Sequence, residues 1–198
     1  MIAEAILALI PVCAPNTSAS TIQQIMQIES SGNILAINVN GVNKKFEPQN
    51  QKEAAQIVRE YIAAGYTVDV GLMQINSSNF AKLGYQNRIE ALFEPCNNIA
   101  AGEQVFLDFY QQSSKIYTDS KQALLAAVSA YNTGDFKKGF RNGYVAKFLG
   151  KANSTKTVKN NKTKINTVIA KNKTDDLLRQ AMLAPTAVNI DVLRTSKK

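Results

Sequence analysis

The sequence predicts a predominantly α-helical α+β domain over residues 1–150, followed by a basic, flexible tail over 151–198. Three observations carry that reading. Apolar residues recur at helical spacing through most of the first region, broken by one Asn-, Gly- and Val-rich stretch from Asn38 to Glu47. Composition then changes after Gly150: 17 of the 22 residues from Asn153 to Thr174 are Lys, Asn, Thr or Ser. Such a segment buries too little apolar area to offset chain entropy. Charge divides at the same place, with 12 Lys/Arg against 12 Asp/Glu before Lys151 and 11 against 3 from there on. The net charge of +8 therefore describes the tail, and nucleic acid is not expected to engage the neutral first region.

The elements follow in order. Ile2 to Val12 is apolar, but Glu4 interrupts it and neither a basic leader nor a small-residue cleavage site accompanies it. It is expected to be the first helix of the domain, which leaves the export route open. A second helix runs to Glu29, with Ser20 and Gln23 spaced as a capping box and Gly32 as a left-handed stop. The Asn38–Glu47 stretch predicts an irregular or short β-hairpin turning at Asn40-Gly41. Residues 51–64 place Ala54, Ile57, Val58 and Tyr61 on one helical face and stop at Gly65. Asn97 is expected to cap a helix through Ile99, Phe106 and Tyr110, and another covers about Lys121 to Tyr131. Phe140, Tyr144 and Phe148 mark a last helix ending at Gly150. In the tail, Asp175 to Leu183 has the pattern of a turn and a half of amphipathic helix before Pro185. No stretch reaches the 18–20 apolar residues of a transmembrane segment.

Glu29 stands out because it occupies the apolar face of its helix, four residues after Ile25 and three after Met26. A carboxyl there is withdrawn from water and lies at the negative end of the helix dipole. Both effects favour its protonated form, as a general acid requires. A solvated Glu interrupting the stripe is the plain alternative.

What the chain lacks narrows the chemistry. Without histidine there is no Ser-His-Asp or Cys-His triad and no His-bearing zinc site. Acid–base work near neutral pH then falls to a perturbed carboxylate. No metal or cofactor is expected. The chain has no tryptophan either, which counts against a ring-stacking ligand such as a sugar unless Tyr66, Tyr85, Tyr131 and Tyr144 substitute. Two cysteines, Cys13 and Cys96, leave either one long-range disulfide or two buried thiols.

Glu29-Ser30, Gly71-Leu72-Met73-Gln74 and Ala130-Tyr131-Asn132, in that order, resemble the soluble lytic transglycosylases, which cut the glycan strands of bacterial peptidoglycan. The sequence is most similar to the small members that accompany type IV secretion and conjugation systems. The supporting segments are Cys13-Ala14-Pro15, Ala36-Ile37-Asn38-Val39-Asn40, Asp69-Val70, Ile75-Asn76 and the run from Phe93 through Gly102. The similarity extends from about Ile6 to about Gly150. It implies a lysozyme-like fold of the goose-type and lytic transglycosylase kind, peptidoglycan strands and secretion-system components as partners, and a periplasmic or cell-envelope location. It also favours bridging of Cys13 with Cys96.

For the residues, the resemblance implies that Glu29 is catalytic. Substrate contacts would come from Ser30, Gly71, Met73, Gln74, Asn76, Tyr131 and Asn132. Core packing is the alternative for Met73 and Tyr131, and a helix cap before Gly134 the alternative for Asn132. Asp69 is either a second catalytic carboxylate or a structural bond to loop amides. The implied reaction breaks the MurNAc–GlcNAc bond with formation of a 1,6-anhydro sugar, one carboxyl serving as acid and then base. A hydrolytic muramidase and a non-catalytic wall-binding assembly protein are the alternatives.

Overall fold

A computed structural model describes residues 2–150; the expectations for the tail, including the helix over Asp175–Leu183, lie outside the described residues. These residues fall into two compact units that divide between Glu103 and Gln104, within one helix.

In the first unit the apolar start forms two short helices rather than one: α1 (Glu4–Leu7) and α2 (Ile10–Cys13). Pro11 explains the restart, since it lacks an N–H and fits only the first turn of a helix. The Glu29 helix is α3 (Ala19–Glu29), and its cap is Ser18, not Ser20: the Ser18 hydroxyl accepts the Thr21 N–H at 3.2 Å. Ile22, Ile25 and Met26 are fully buried on one face. After Glu29 the chain reverses through left-handed Ser31 and Gly32 (φ +86°). Gly32 lies against Ile2 so closely that a Cβ there would sit 2.9 Å from the Ile2 Cα.

The expected Asn40-Gly41 turn forms, but it does not join a hairpin. β1 (Ile37–Val39) pairs instead with the distant β2 (Val68–Val70), which pairs in turn with β3 (Ile75–Asn76), both antiparallel. Alternation sorts the two faces of this sheet. Val39, Val68, Val70 and Ile75 are buried, while Asn38, Asp69 and Asn76 lie in register on the open side. Between β1 and β2 runs α4 (Gln51–Ala63), capped by Asn50 and burying Ala54, Ala55 and Val58.

The long helix α5 (Pro95–Ser114) begins at Pro95, so Asn97 lies inside it instead of capping it. Cys96 in its first turn is bridged to Cys13 at the end of α2, with 5.3 Å between the Cα atoms and 83 positions between them in sequence. The pairing closes a loop worth about 4 kcal/mol in the chain-entropy account.

The second unit holds the end of α5 with α6 (Ser120–Thr133), α7 (Lys138–Arg141) and α8 (Tyr144–Phe148). Asp119 caps α6, and Gly134 ends it in the left-handed region. The single final helix expected from the sequence is split, because Gly143 takes φ +85° between α7 and α8, leaving Phe140 exposed. The Ser113 hydroxyl donates to the Ala123 carbonyl at 2.8 Å, binding α6 to the end of α5. Among the described residues, no helix is long and apolar enough to cross a membrane.

Candidate active site

Glu29 is the last residue of α3 and is half-buried. Its neighbour Ser30 joins the helix end to the loop between β2 and β3. The Ser30 hydroxyl donates to the Leu72 carbonyl at 2.8 Å and accepts the Gly32 N–H at 3.1 Å. Ser30 is thus occupied in holding the helix terminus to the loop, which sets where the Glu29 carboxyl stands.

The loop itself, Gly71–Gln74, is built around a residue that the sequence reading did not single out. Asn98, buried in α5, accepts the Met73 N–H at 2.7 Å and donates to the carbonyls of Val70 at 3.0 Å and Leu92 at 2.8 Å. Gly71 adopts φ +73°, and a Cβ there would run into the Asn98 amide. Its close backbone approach is therefore to the protein's own Asn98 side chain. Met73 is likewise fully buried, in the core-packing arrangement, and fills the space left by the missing side chain of Gly102.

Gln74 remains half-buried and holds an unusual backbone, φ +48°. Non-glycine residues reach that region only when their surroundings enforce it, and such positions concentrate at working sites. Its side-chain nitrogen donates to the Gly71 carbonyl at 2.9 Å and the Ala36 carbonyl at 3.4 Å. Both partners are acceptors, so the nitrogen must face them, and Oε1 is the atom left to receive a donor from a ligand.

Asn76 is also internally committed. Its amide nitrogen donates to Asp69 at 2.7 Å, while its carbonyl caps the following turn by accepting the Ser78 N–H at 3.0 Å. Asp69 receives two further amides, from Asn38 at 3.1 Å and Asn40 at 3.0 Å, both on its other oxygen.

Of the four tyrosines offered as sugar platforms, Tyr85 and Tyr144 are buried, whereas Tyr66 is exposed and Tyr131 half-buried. In the second unit Tyr131 lies on the last full turn of α6, its ring centroid 6.5 Å from that of Phe106. Asn132 is exposed there, and its carbonyl accepts from the Asn142 amide at 2.9 Å. Gly134, not Asn132, supplies the cap.

A second residue absent from the sequence reading is Glu103, buried on α5 seven positions beyond Cys96. Its carboxylate accepts the Asn16 N–H at 2.8 Å. Withdrawal from water pushes its pKa up, against the hydrogen bonds from Asn16 that pull it down. The disulfide and this contact fasten the segment after α2 to one face of α5 at points two turns apart. No cluster of His, Cys, Asp and Glu suited to a metal ion occurs among the described residues.

A helix ending in a half-buried glutamate, tied through its next residue to a Gly-Leu-Met-Gln loop on a small antiparallel sheet, is the frame of a lysozyme-like domain. The chain belongs to the Transglycosylase SLT domain family, whose model matches residues 9–154. It is 39% identical over 135 residues to Protein virB1 of Agrobacterium fabrum, covering 68% of this chain and 54% of that protein. It is 32% identical over 149 residues to Type IV secretion system protein virB1 of Brucella abortus, covering 72% and 62%. The chain thus spans little more than half the length of the curated relatives it matches. No solved structure matches it.

Proposed function

We propose that this protein is a peptidoglycan lytic transglycosylase that opens the wall locally for a type IV secretion or conjugation apparatus, acting in the periplasm or cell envelope. The observation that carries the reading is the placement of Glu29, half-buried at the end of α3 and fixed to the Gly71–Gln74 loop by Ser30, within a transglycosylase family domain. The name of the Brucella relative, a type IV secretion system protein, supports the secretion context. Residues 1–150 would form the catalytic region, with 151–198 as an accessory basic tail able to associate with anionic wall polymers or lipid headgroups.

Glu29 in its acid form protonates the oxygen joining MurNAc to GlcNAc, and the bond from that oxygen to C1 of MurNAc breaks. The resulting carboxylate then removes the proton from the C6 hydroxyl of the same MurNAc, whose oxygen attacks C1. A 1,6-anhydro ring forms, no water is consumed, and Glu29 regains its proton. The nucleophile belongs to the bound sugar, so proximity supplies much of the acceleration. Gln74 Oε1 would accept from a sugar N–H or hydroxyl, while Tyr131 and Asn132 remain further candidates for substrate contact.

Mass spectrometry of sacculi digested with the protein tests the reading. Product strands should end in 1,6-anhydromuramic acid; ordinary reducing ends would identify a muramidase, and uncut strands a wall-binding protein.

A further inference from the structure

We propose that the α7–α8 end of the second unit is a docking face for anionic lipid bilayers, with Phe140 entering the headgroup layer and Lys137, Lys138, Arg141 and Lys147 meeting its phosphates. The inference goes beyond the catalytic reading above and stands independently of it.

The charge balance of residues 1–150 conceals a segregation. Residues 1–134 carry 8 Lys/Arg against 11 Asp/Glu, whereas Asp135 to Gly150 carry 4 against 1. Those four cations are all exposed, and among the described residues none sits in a salt bridge. The one acidic residue of the segment, Asp135, is committed to the backbone: its Oδ1 accepts the Lys137 and Lys138 N–H groups, each at 2.8 Å. It is close enough to Lys138 and Arg141 to feel their charge, and it tempers the cluster without cancelling it.

Phe140 stands among these cations. It shares a four-residue spacing with Tyr144 and Phe148, the pattern of a buried stripe, yet only the latter two are buried. Gly143, at φ +85°, breaks the helix between them and leaves Phe140 49% exposed. Gly139 fixes the direction of that exposure. Its N–H donates to the Ser129 hydroxyl at 2.8 Å, and a Cβ there would sit 2.6 Å from the Ser129 Cα, so this side of α7 is pressed against α6. At about 100° per residue, Arg141 then points away from α6, with Phe140 and Lys138 to either side of it.

An outward aromatic ring among unpaired cations suits an anionic bilayer. Lys and Arg are drawn to the headgroups by the negative surface potential, while the ring lodges at the boundary with the acyl chains. A soluble polyanion would engage the charges and leave the ring in water. The acidic excess of residues 1–134 is repelled by the same surface, which favours approach by this end. The sequence continues the trend directly after α8, with 11 Lys/Arg against 3 Asp/Glu from Lys151 on.

The chain contains no tryptophan, so Phe140→Trp makes position 140 the sole source of indole emission. The full-length variant is mixed with vesicles of phosphatidylglycerol and phosphatidylethanolamine, and separately with vesicles of phosphatidylcholine alone. Its emission should move to shorter wavelength with the anionic vesicles only. In co-sedimentation of the full chain, Phe140→Ser should weaken binding to anionic vesicles about tenfold at an unchanged urea midpoint. Lys137→Gln combined with Arg141→Gln should weaken it about tenfold or more. Binding that produces no spectral shift and ignores these substitutions would assign attachment to the residues after Gly150 and overturn the proposal. Failure to bind anionic vesicles, or a shift with isolated wall polymer and none with vesicles, would overturn it as well. None of these readings depends on Glu29.

Discussion

At Asn98 one buried amide satisfies three backbone groups of the segments that frame the candidate site, those of Val70, Leu92 and Met73. Asn98→Ala would strand all of them away from water, at about 1–3 kcal/mol each. The expected outcome is a loss of roughly 3 kcal/mol or more of stability, read as a lower urea midpoint, with Asn98→Asp also impaired because it keeps only the acceptor. Gly71→Ala should be comparably harmful, since its new methyl meets the same amide and its φ of +73° disfavours any side chain. Glu29→Gln, by contrast, should leave the urea midpoint nearly unchanged while wall cleavage falls beyond the 10²–10⁴ of one acid–base role, because one group serves both proton transfers. A Glu29→Gln protein with a tenth of parent activity would remove Glu29 from the chemistry.

Among the elements, α5 carries a titration that stability measurements can read. Glu103 binds its proton more tightly folded than unfolded, so its carboxyl favours the folded state at acidic pH. That contribution declines as pH rises above its ordinary 4.5 and through the raised folded value. Glu103→Gln keeps an acceptor for the Asn16 N–H and removes the titration. Its melting temperature relative to the parent should therefore be higher at pH 7.5 than at pH 4.5, as paired thermal melts would show; a pH-independent difference would count against it. The same helix shows what the sequence made legible. Periodicity placed a helix through Ile99 and Phe106, but the start at Pro95 was hidden because Asn97 looked like a cap. Ile22, Ile25 and Met26 announced α3 and its buried face, whereas the sheet partner of β1 depended on a pairing across some thirty positions that local pattern does not encode. Within the loop, the motif named Gly71, Met73 and Gln74 but gave no sign of Asn98 or Glu103. A buried polar residue inside a helix looks like a surface one until its partners are in place.

Across the whole molecule, the Cys13–Cys96 bond spans the chain from α2 to α5, and Glu29, Ser30, Asp69 and Gln74 all lie within the loop it closes. Replacing both cysteines with serine should cost about 2–4 kcal/mol and lower the melting temperature, while the pattern of glycan products stays the same. Denaturing, non-reducing thiol labelling of protein from an oxidising compartment should leave both residues unlabelled. The charge partition gives a further expectation at this scale. Truncation after Gly150 should preserve turnover on short soluble glycans and weaken attachment to intact sacculi at low salt, an effect that salt should suppress as screening shortens to about 8 Å near physiological ionic strength. Loss of turnover on soluble glycans would assign the removed residues to the catalytic region.

The contact between Ile2 and Gly32 bears on how the protein can be handled. It holds the first described residue beside a turn that begins only two residues after Glu29. Bulk or a dye joined ahead of Ile2 is therefore expected beside the turn that follows Glu29, where it would report on changes at that turn. An affinity handle is better placed away from Ile2, and a deliberate reporter on the Glu29 turn belongs beside it.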